Sequence, residues 1–338
     1  MFYICQHSGS ETLKELNDAE VRRLLKPAEV MAAIEAAFRE RYHSIIMPTR
    51  TQFAINGGRF LTMPCHDTLT GSLGLKIVVV RDVDGSKGRK KQGSPEYSNL
   101  DRVQASYALI DPKTSQPMLT LAANYLTELR TAATSAVATK FLARKDTKVL
   151  GVFGTGKQAR AHMEVLPLVR RFETIIVCGS DEDKSKRFTE EMTSSINLPI
   201  EAGGAERCAA ESDVICTCTN SQTPLFEASL IRPGTHLNLV GSFQPRAREV
   251  DSATIQRANI VVDTYDGAMA EAGDLLLAVK EKVISRGHIL ADLHELVSGK
   301  KVARTSESDI TLFKSVGCAL EDLATVELLM NGWRTKTG

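Results

Sequence analysis

The sequence predicts an α/β protein: a Rossmann-type domain with a doubly wound parallel sheet, joined to an α+β domain. Three observations predict it. From Lys148 onward, short apolar runs alternate with helical segments, the pattern of a parallel sheet covered on both faces. A Gly154-x-Gly156-x-x-Ala159 turn follows the first of those runs and opens helical pattern, the context a dinucleotide fingerprint requires. The chain before it lacks the alternation and reads as strands and helices in separate groups.

Taken in order, Asn17 or Asp18 can cap a helix carrying Val21, Leu24 and Leu25. Pro27 fits the first turn of a second helix, with Val30, Ile34, Phe38 and Tyr42 at four-residue spacing. Strand-like runs occupy 59–63, 75–80 and 105–110. Between the last two lies a polar, Gly-containing loop, 84–99, whose Lys87, Arg89, Lys90 and Lys91 read as solvated charge. Thr127 can cap an Ala-rich helix running to Ala143. Strand candidates then follow at 149–153, 174–178, 213–218, 236–240 and 259–263, with a helix to Arg170 after the first. The stretch 320–330 is again helical and is expected to return to the first domain.

The 338 residues fit two domains, and 43% hydrophobic with 25% charged residues is soluble globular composition. A formal net charge of +1 offers no field for nucleic acid. No apolar run reaches the roughly 18–20 residues of a membrane span, so no membrane partner is expected. The opening residues have neither the basic start nor the apolar core of a signal peptide, and a cytoplasmic location is expected. Of the seven cysteines, Cys5, Cys65, Cys178, Cys208 and Cys318 stand apart, and Cys216 with Cys218 has no second pair to complete a metal site. Reduced thiols and no metal are expected.

The chemistry concentrates at the glycine turn. Gly154 permits a tight turn, Gly156 leaves room for a pyrophosphate beside the backbone, and Ala159 allows close helix–strand packing. The following helix offers free N–H groups and a partial positive charge to phosphate. Thr155, Lys157 and Gln158 belong to the same turn. The second strand ends in Cys178-Gly179-Ser180-Asp181, so Gly179 stands where an acidic residue would bind a ribose 2′-hydroxyl. With no carboxylate there, Ser180, Lys184 and Arg187 can receive a 2′-phosphate; NADPH is expected in preference to NADH, which stays possible, as does a ribose contact from Asp181. Loops at carboxyl ends of parallel strands line the crevice, which adds Thr219, Asn220 and Gly241.

The sequence resembles the ornithine cyclodeaminase/mu-crystallin family over nearly its whole length. The resemblance rests on Met47-Pro48-Thr49-Arg50, Phe60-Leu61-Thr62-Met63-Pro64, Gly74-Leu75-Lys76, Leu126-Thr127-Glu128-Leu129-Arg130-Thr131-Ala132-Ala133, the glycine turn, and Asp309-Ile310-Thr311-Leu312-Phe313-Lys314-Ser315-Val316-Gly317. It implies a homodimer, with 1–129 and 318–338 as the substrate-binding and dimerisation domain and 130–317 as the Rossmann domain. It also implies that Arg50, Lys76 and Arg130 bind substrate and that Thr131 contacts phosphate. Chemistry agrees: arginine binds a carboxylate in two-point fashion, and Lys76 can polarise or protonate a substrate nitrogen or oxygen. Lys76 interrupts an apolar strand and needs a partner. Arg130 sits early in a helix, where the macrodipole disfavours a cation, so an anion is expected beside it.

The cyclodeaminases of that family carry an Asp in a Gly-x-Asp-x-Pro pattern, where this chain has Gly241-Ser242-Phe243-Gln244-Pro245. Phe243 cannot take a proton, and an apolar wall suits a cyclic imine. The resemblance therefore implies NAD(P)H-dependent reduction of a cyclic ketimine carboxylate, Δ1-pyrroline-2-carboxylate or Δ1-piperideine-2-carboxylate, to proline or pipecolate. Lys76 is the catalytic candidate, and Arg50, Lys76, Arg130 and Phe243 form the substrate site. The alternatives are an ornithine cyclodeaminase or amino-acid dehydrogenase, and a non-catalytic protein that binds NADPH and a ligand. His66 is expected at the pocket edge, the other histidines are read as structural, and Asp274 as a helix cap.

Overall fold

The structure is a computed structural model that describes residues 13–81 and 103–337. The basic loop 84–99, Cys5 and His7 lie outside the described residues. The chain opens with β1 (Lys14–Leu16) and α1 (Asp18–Leu24), where Asn17 and Glu20 form a reciprocal capping box. Pro27 stands in the first turn of α2 (Pro27–Ala36). The four-residue apolar spacing predicts one helix through Tyr42, but the backbone widens into a π-helical turn over Ala37–Arg41 and tightens to a 3-10 turn over Tyr42–Ser44. Tertiary contacts offset the irregularity. Arg41 reaches Asp67 at 2.9 Å and Glu327 at 2.7 Å, and Tyr42 stacks on His294 with ring centroids 4.8 Å apart.

Six strands follow: β2 (Ile45–Ile46), β3 (Thr51–Ile55), β4 (Gly58–Asp67), β5 (Leu73–Arg81), β6 (Val103–Ile110) and β7 (Pro117–Ala122). Their sheet runs β1-β7-β6-β5-β4-β2, with β3 also on β4. Every pairing is antiparallel except β1 with β7. In β5, burial alternates residue by residue, and Lys76 takes a buried position beside Val78 and Val80, as period-two geometry requires.

Helix α3 (Asn124–Leu142) lies between the layers, packing on α2 on one side and α4 (Lys157–Val165) on the other. It starts three residues before the expected cap, with Ala123 as N-cap; the Thr127 hydroxyl instead donates back to the Ala123 carbonyl at 2.7 Å. The earlier start follows from the Asn124 carboxamide, which accepts the Ala105 N–H at 2.8 Å and ties the helix to β6. Then come β8 (Val149–Phe153), α4 (Lys157–Val165), β9 (Thr174–Cys178), α5 (Glu182–Thr193), β10 (Ile200–Ala202), α6 (Ala205–Glu211), β11 (Val214–Thr217), β12 (His236–Leu239), α7 (Ser252–Arg257), β13 (Ala258–Val262), α8 (Tyr265–Glu271), α9 (Gly273–Lys280), β14 (Ile289–Asp292), α10 (Leu293–Val297), β15 (Ile310–Lys314) and α11 (Ala319–Thr337).

The second sheet is entirely parallel, in the order β10-β9-β8-β11-β12-β15-β13-β14. Its two faces feed two apolar clusters. Leu150, Val152, Val214 and Phe313 join the cluster continuous with the first sheet, whereas Phe153, Ile215, Leu237 and Leu312 join the other. That covering is what near-continuous apolar strands require. β10, β14 and β15 were not expected from the sequence. α11 returns to the first layer, packing on α2, α3, β4 and β5. No helix of the described residues is long and apolar enough to cross a membrane, and the six described cysteines are free thiols.

Candidate cofactor and substrate site

In a parallel sheet, all carboxyl ends lie at one edge. Here that edge carries Gly154 after β8, Gly179 after β9, Thr219 after β11, Gly241 after β12 and Gly317 after β15. β8 and β15 stand three strand spacings apart, ~14 Å, within reach of one extended dinucleotide.

The glycine turn is built as its residue types predict. Gly154 has φ +115°, and a Cβ there would fall 2.5 Å from the Cys218 carbonyl oxygen, so only glycine fits. Its N–H donates to the Cys178 carbonyl at 2.8 Å. Gly156 is the N-cap of α4, and a Cβ there would meet no atom within 4 Å. The space beside that backbone is open, and the first N–H groups of α4 face it. Ala159 is fully buried. Exposed Lys157 pairs with Glu128 at 3.4 Å. The Gln158 carboxamide reaches the Thr127 carbonyl at 3.4 Å, and the Thr131 hydroxyl donates to the same carbonyl at 2.7 Å. Gln158 of the glycine turn and Thr131, one turn along α3 from Thr127, thereby meet at one carbonyl. Thr155 and Gly179 touch: a Cβ on Gly179 would lie 2.9 Å from the Thr155 methyl.

The ribose end is equally ordered. Asp181 caps α5 by accepting the Lys184 N–H at 2.8 Å and pairs with the Lys184 ammonium at 3.2 Å. Its carboxylate is committed there, its pKa held below the usual range chiefly by that backbone N–H. Ser180 is exposed and accepts from Lys184 Nζ at 3.3 Å. Asn220 is exposed beside Thr219, whose N–H and hydroxyl both go to Glu249.

The three predicted cations converge on one short segment, 316–322, directly after β15. Arg50 donates Nη2 to the carbonyls of Val316 and Gly317 and pairs through Nε with Glu271 at 2.9 Å. Lys76 Nζ donates to Asp322 Oδ1 at 2.7 Å. Arg130 pairs through Nη1 with Glu321 and through Nε with the same Asp322 oxygen at 3.1 Å. Gly317, at φ +81°, lies against Arg130: a Cβ there would be 2.5 Å from Nη1. Nη1 of Arg50 and Nη2 of Arg130 keep no partner among the described residues.

Electrostatics sharpens the picture. Lys76 is 1% exposed. Burial, then the neighbouring Arg130 charge, pulls its pKa down to about 8, against the attraction of Asp322. Burial also works against the Arg130 charge, but Asp322 and Glu321 more than offset it, and its pKa lies above the usual arginine value. Burial pushes Glu321 and Glu271 up, opposed by Arg130 and Arg50 respectively. Asp263, at the end of β13, pins the segment by accepting the N–H groups of Val316 and Gly317, each at 2.6 Å.

A cleft opens onto this platform between the two layers, lined by Tyr42, Met47, Arg50, Met63, Asp266, Gly267, Glu271 and Gly317 among others. Lys76 and Arg130 are not among its lining residues; Met63, Lys76's register partner on β4, and Gly317, against Arg130, are. Phe243 is half-buried against the apolar cluster on the far sheet face and does not line the cleft. His66 bonds the Ser72 carbonyl at 3.1 Å and is also outside it. His162 and His236 are buried, with pKa values lowered by burial to about 4 and about 3, and bond Ser135 and Thr311. Asp274 caps no helix. Ala272 holds that position for α9, and Asp274 accepts the Glu249 N–H and pairs with Lys314, because two buried groups there need a counterpart.

Sequence reasoning missed the carboxylate partners Glu271, Glu321, Asp322 and Asp263. The signal for two was present: Glu321 and Asp322 open a helix directly after the Phe313–Gly317 motif, where acids suit the macrodipole.

A family model described as the ornithine cyclodeaminase/mu-crystallin family matches residues 11–337. A Δ1-pyrroline-2-carboxylate reductase of Bacillus cereus is 35% identical over 315 residues, covering 92% of this chain and 93% of that protein. The solved structure of Thermococcus litoralis Δ1-pyrroline-2-carboxylate reductase in complex with NADH and L-proline superposes with TM-score 0.88 at 35% identity, covering 96% and 98% of the two chains. An archaeal alanine dehydrogenase dimer with bound NAD superposes with TM-score 0.86 at 30% identity, covering 96% and 97%.

Proposed function

The chain belongs to the ornithine cyclodeaminase/mu-crystallin family, and from that premise we propose that it reduces a cyclic ketimine carboxylate with a reduced nicotinamide dinucleotide. The substrates are Δ1-pyrroline-2-carboxylate or Δ1-piperideine-2-carboxylate, and the products L-proline or L-pipecolate. One observation carries the reading: three cations gather on a platform at the same sheet edge as an open glycine turn.

The residues present fit a dinucleotide. The open space at Gly156 and the N-terminus of α4 take the pyrophosphate, with Thr131, Thr155, Lys157 and Gln158 around it and Thr219, Asn220 and Gly241 along the crevice. Gly179 admits the adenosine ribose. Ser180 and Lys184 favour a 2′-phosphate, since Asp181 is occupied as a cap. NADPH is therefore the preferred donor, with NADH accepted. When bound, the reduced nicotinamide supplies a hydride to C2 of the imine.

The protein supplies the rest. Each substrate-site cation already has a carboxylate partner, so the cluster is close to charge balance. A ligand that brings one negative and one positive charge, an iminium carboxylate, leaves that balance intact. Its carboxylate meets the unpaired Nη1 of Arg50 and Nη2 of Arg130, and this fixes the orientation of C2. Lys76 Nζ, its pKa drawn down to about 8 by burial, holds a proton that it can deliver to the ring nitrogen once reduction at C2 has turned the iminium into a neutral amine. Phe243 stands where the family's cyclodeaminases carry an acid, so the base for removing an amine is absent from that position.

The division into 1–129 with 318–338 and 130–317 passes through α3, which packs on both α2 and α4. A homodimer through the first sheet is supported by the exposed Ile46, Phe53 and Ile55 of β2 and β3. The test of the activity mixes purified protein with NADPH and each cyclic imine and follows absorbance of the reduced cofactor. Decay is expected. No decay with either ring, together with ammonia release from ornithine, would overturn the reading.

A further inference from the structure

A cluster of fully buried charged residues lies outside the chemistry above. Glu249, Asp274 and Lys314 are each 0% exposed and lie together behind the carboxyl edge of the second sheet. Glu249 collects five hydrogen bonds. Its Oε1 accepts the Thr219 N–H at 2.8 Å and the Thr219 hydroxyl at 2.7 Å. Its Oε2 accepts the Thr217 hydroxyl at 2.8 Å, the Gly241 N–H at 2.8 Å and the Ser242 N–H at 3.1 Å. The Glu249 backbone is held by Asp274, which accepts its N–H at 2.7 Å. Lys314 pairs with Asp274 at 2.9 Å and donates to the Ser242 carbonyl at 2.6 Å.

These bonds add to the backbone link between the ends of β11 and β12, where the Val240 and Gly241 N–H groups donate to the Thr217 carbonyl, each at 3.0 Å. Thr219 follows Cys218, whose carbonyl packs against Gly154 of the glycine turn. Gly241 fits so closely on Thr219 that a Cβ would lie 2.2 Å from the Thr219 carbonyl oxygen. Lys314 ends β15 and leads directly into the segment that carries the cations. One carboxylate therefore braces two crevice loops against each other, and one lysine ties them to the substrate platform.

We propose that Glu249 is a positioning residue for dinucleotide binding: it holds the loops after β11 and β12 in the register the cofactor occupies, without touching substrate. The proposal rests on the dinucleotide-binding reading above. Burial of a carboxylate that accepts five bonds is costly unless every bond is made, and the donors it gathers come from both crevice loops. In Glu249→Gln, one oxygen becomes an NH2 group. Whichever oxygen is replaced, a backbone N–H of Thr219, or those of Gly241 and Ser242, faces a donor, and that loop must move.

The test is equilibrium titration of full-length protein with NADPH, read by nicotinamide fluorescence, alongside steady-state kinetics. In E249Q, the Kd and KM for NADPH should rise by about tenfold or more, the loss of a hydrogen bond to a charged group. The KM for the imine at saturating NADPH, and kcat, should change by less than about threefold if the substrate platform is undisturbed. A purely structural role predicts a lower melting temperature with unchanged constants in the folded fraction. Thr217→Val removes one bond from the same carboxylate at a residue on the strand and is read if E249Q fails to fold; its Kd should rise about threefold. A folded E249Q with the wild-type Kd, or T217V with the wild-type Kd where E249Q does not fold, overturns this proposal alone. A wild-type protein that binds no nicotinamide dinucleotide overturns both it and the reading beneath it.

Discussion

Replacing Gly317 by alanine tests whether Arg130 acts on substrate. The residue has φ +81°, and an added Cβ would fall 2.5 Å from Arg130 Nη1, 3.0 Å from Nη2 and 3.2 Å from Cζ. Placing alanine in the left-handed region costs roughly 1–2 kcal/mol of stability. The steric effect is the more informative one. The guanidinium cannot swing aside freely, because Glu321 holds Nη1 and Asp322 lies 3.1 Å from Nε. It must withdraw by roughly 1 Å to reach ordinary contact, which is enough to break a charge-assisted bond to the substrate carboxylate. Such a bond contributes about 1.5–3 kcal/mol, so kcat/KM for the imine should fall about 10- to 150-fold. The assay is steady-state imine reduction at saturating NADPH, with cofactor affinity measured separately and expected to hold. A folded G317A protein with kcat/KM within about threefold of wild type would refute the role assigned to Arg130.

Three further outcomes follow from the same geometry. Lys76 carries its proton below about 8 and loses it above, so kcat should decline as pH rises through that value; Lys76→Met should lower kcat by about 10²–10⁴ and abolish that limb of the pH profile. Gly156→Ala meets no atom within 4 Å and is not at positive φ, so thermal stability should hold while KM for the dinucleotide climbs; a melt and a titration on one sample check both halves. Lys184→Ala removes the ammonium beside Ser180 and should weaken NADPH about tenfold relative to NADH, read as the ratio of the two KM values.

What the sequence revealed was mostly local. The glycine turn was legible because its demands are met within a few residues: a positive φ at Gly154, open space at Gly156, a close-packed Ala159. Lys76 and Arg130 were legible as anomalies, a cation in an apolar strand and a cation early in a helix, each implying an anion nearby. The anions themselves were not. Asp322 lies 246 residues from Lys76 and Glu321 lies 191 from Arg130, and no periodicity links them. Strand order was hidden for a related reason: β15 inserts between β12 and β13, which only the paired edges decide. Asp274 was misread because a carboxylate beside glycine resembles a cap, whereas its neighbours Glu249 and Lys314 come from remote segments. The helix start at Asn124 was lost to Thr127 because the deciding bond, from Ala105, is tertiary.

The central claim is that hydride from a nicotinamide reaches C2 of an imine whose carboxylate rests on Arg50 and Arg130 beside Lys76. Reduction of Δ1-pyrroline-2-carboxylate with NADPH deuterated at the transferring position of the nicotinamide tests it most directly, with the proline examined by mass spectrometry and proton NMR. The account predicts one deuterium per proline, at C2, formed in step with cofactor oxidation. Proline without label, or oxidation of the cofactor with no proline formed, would contradict it.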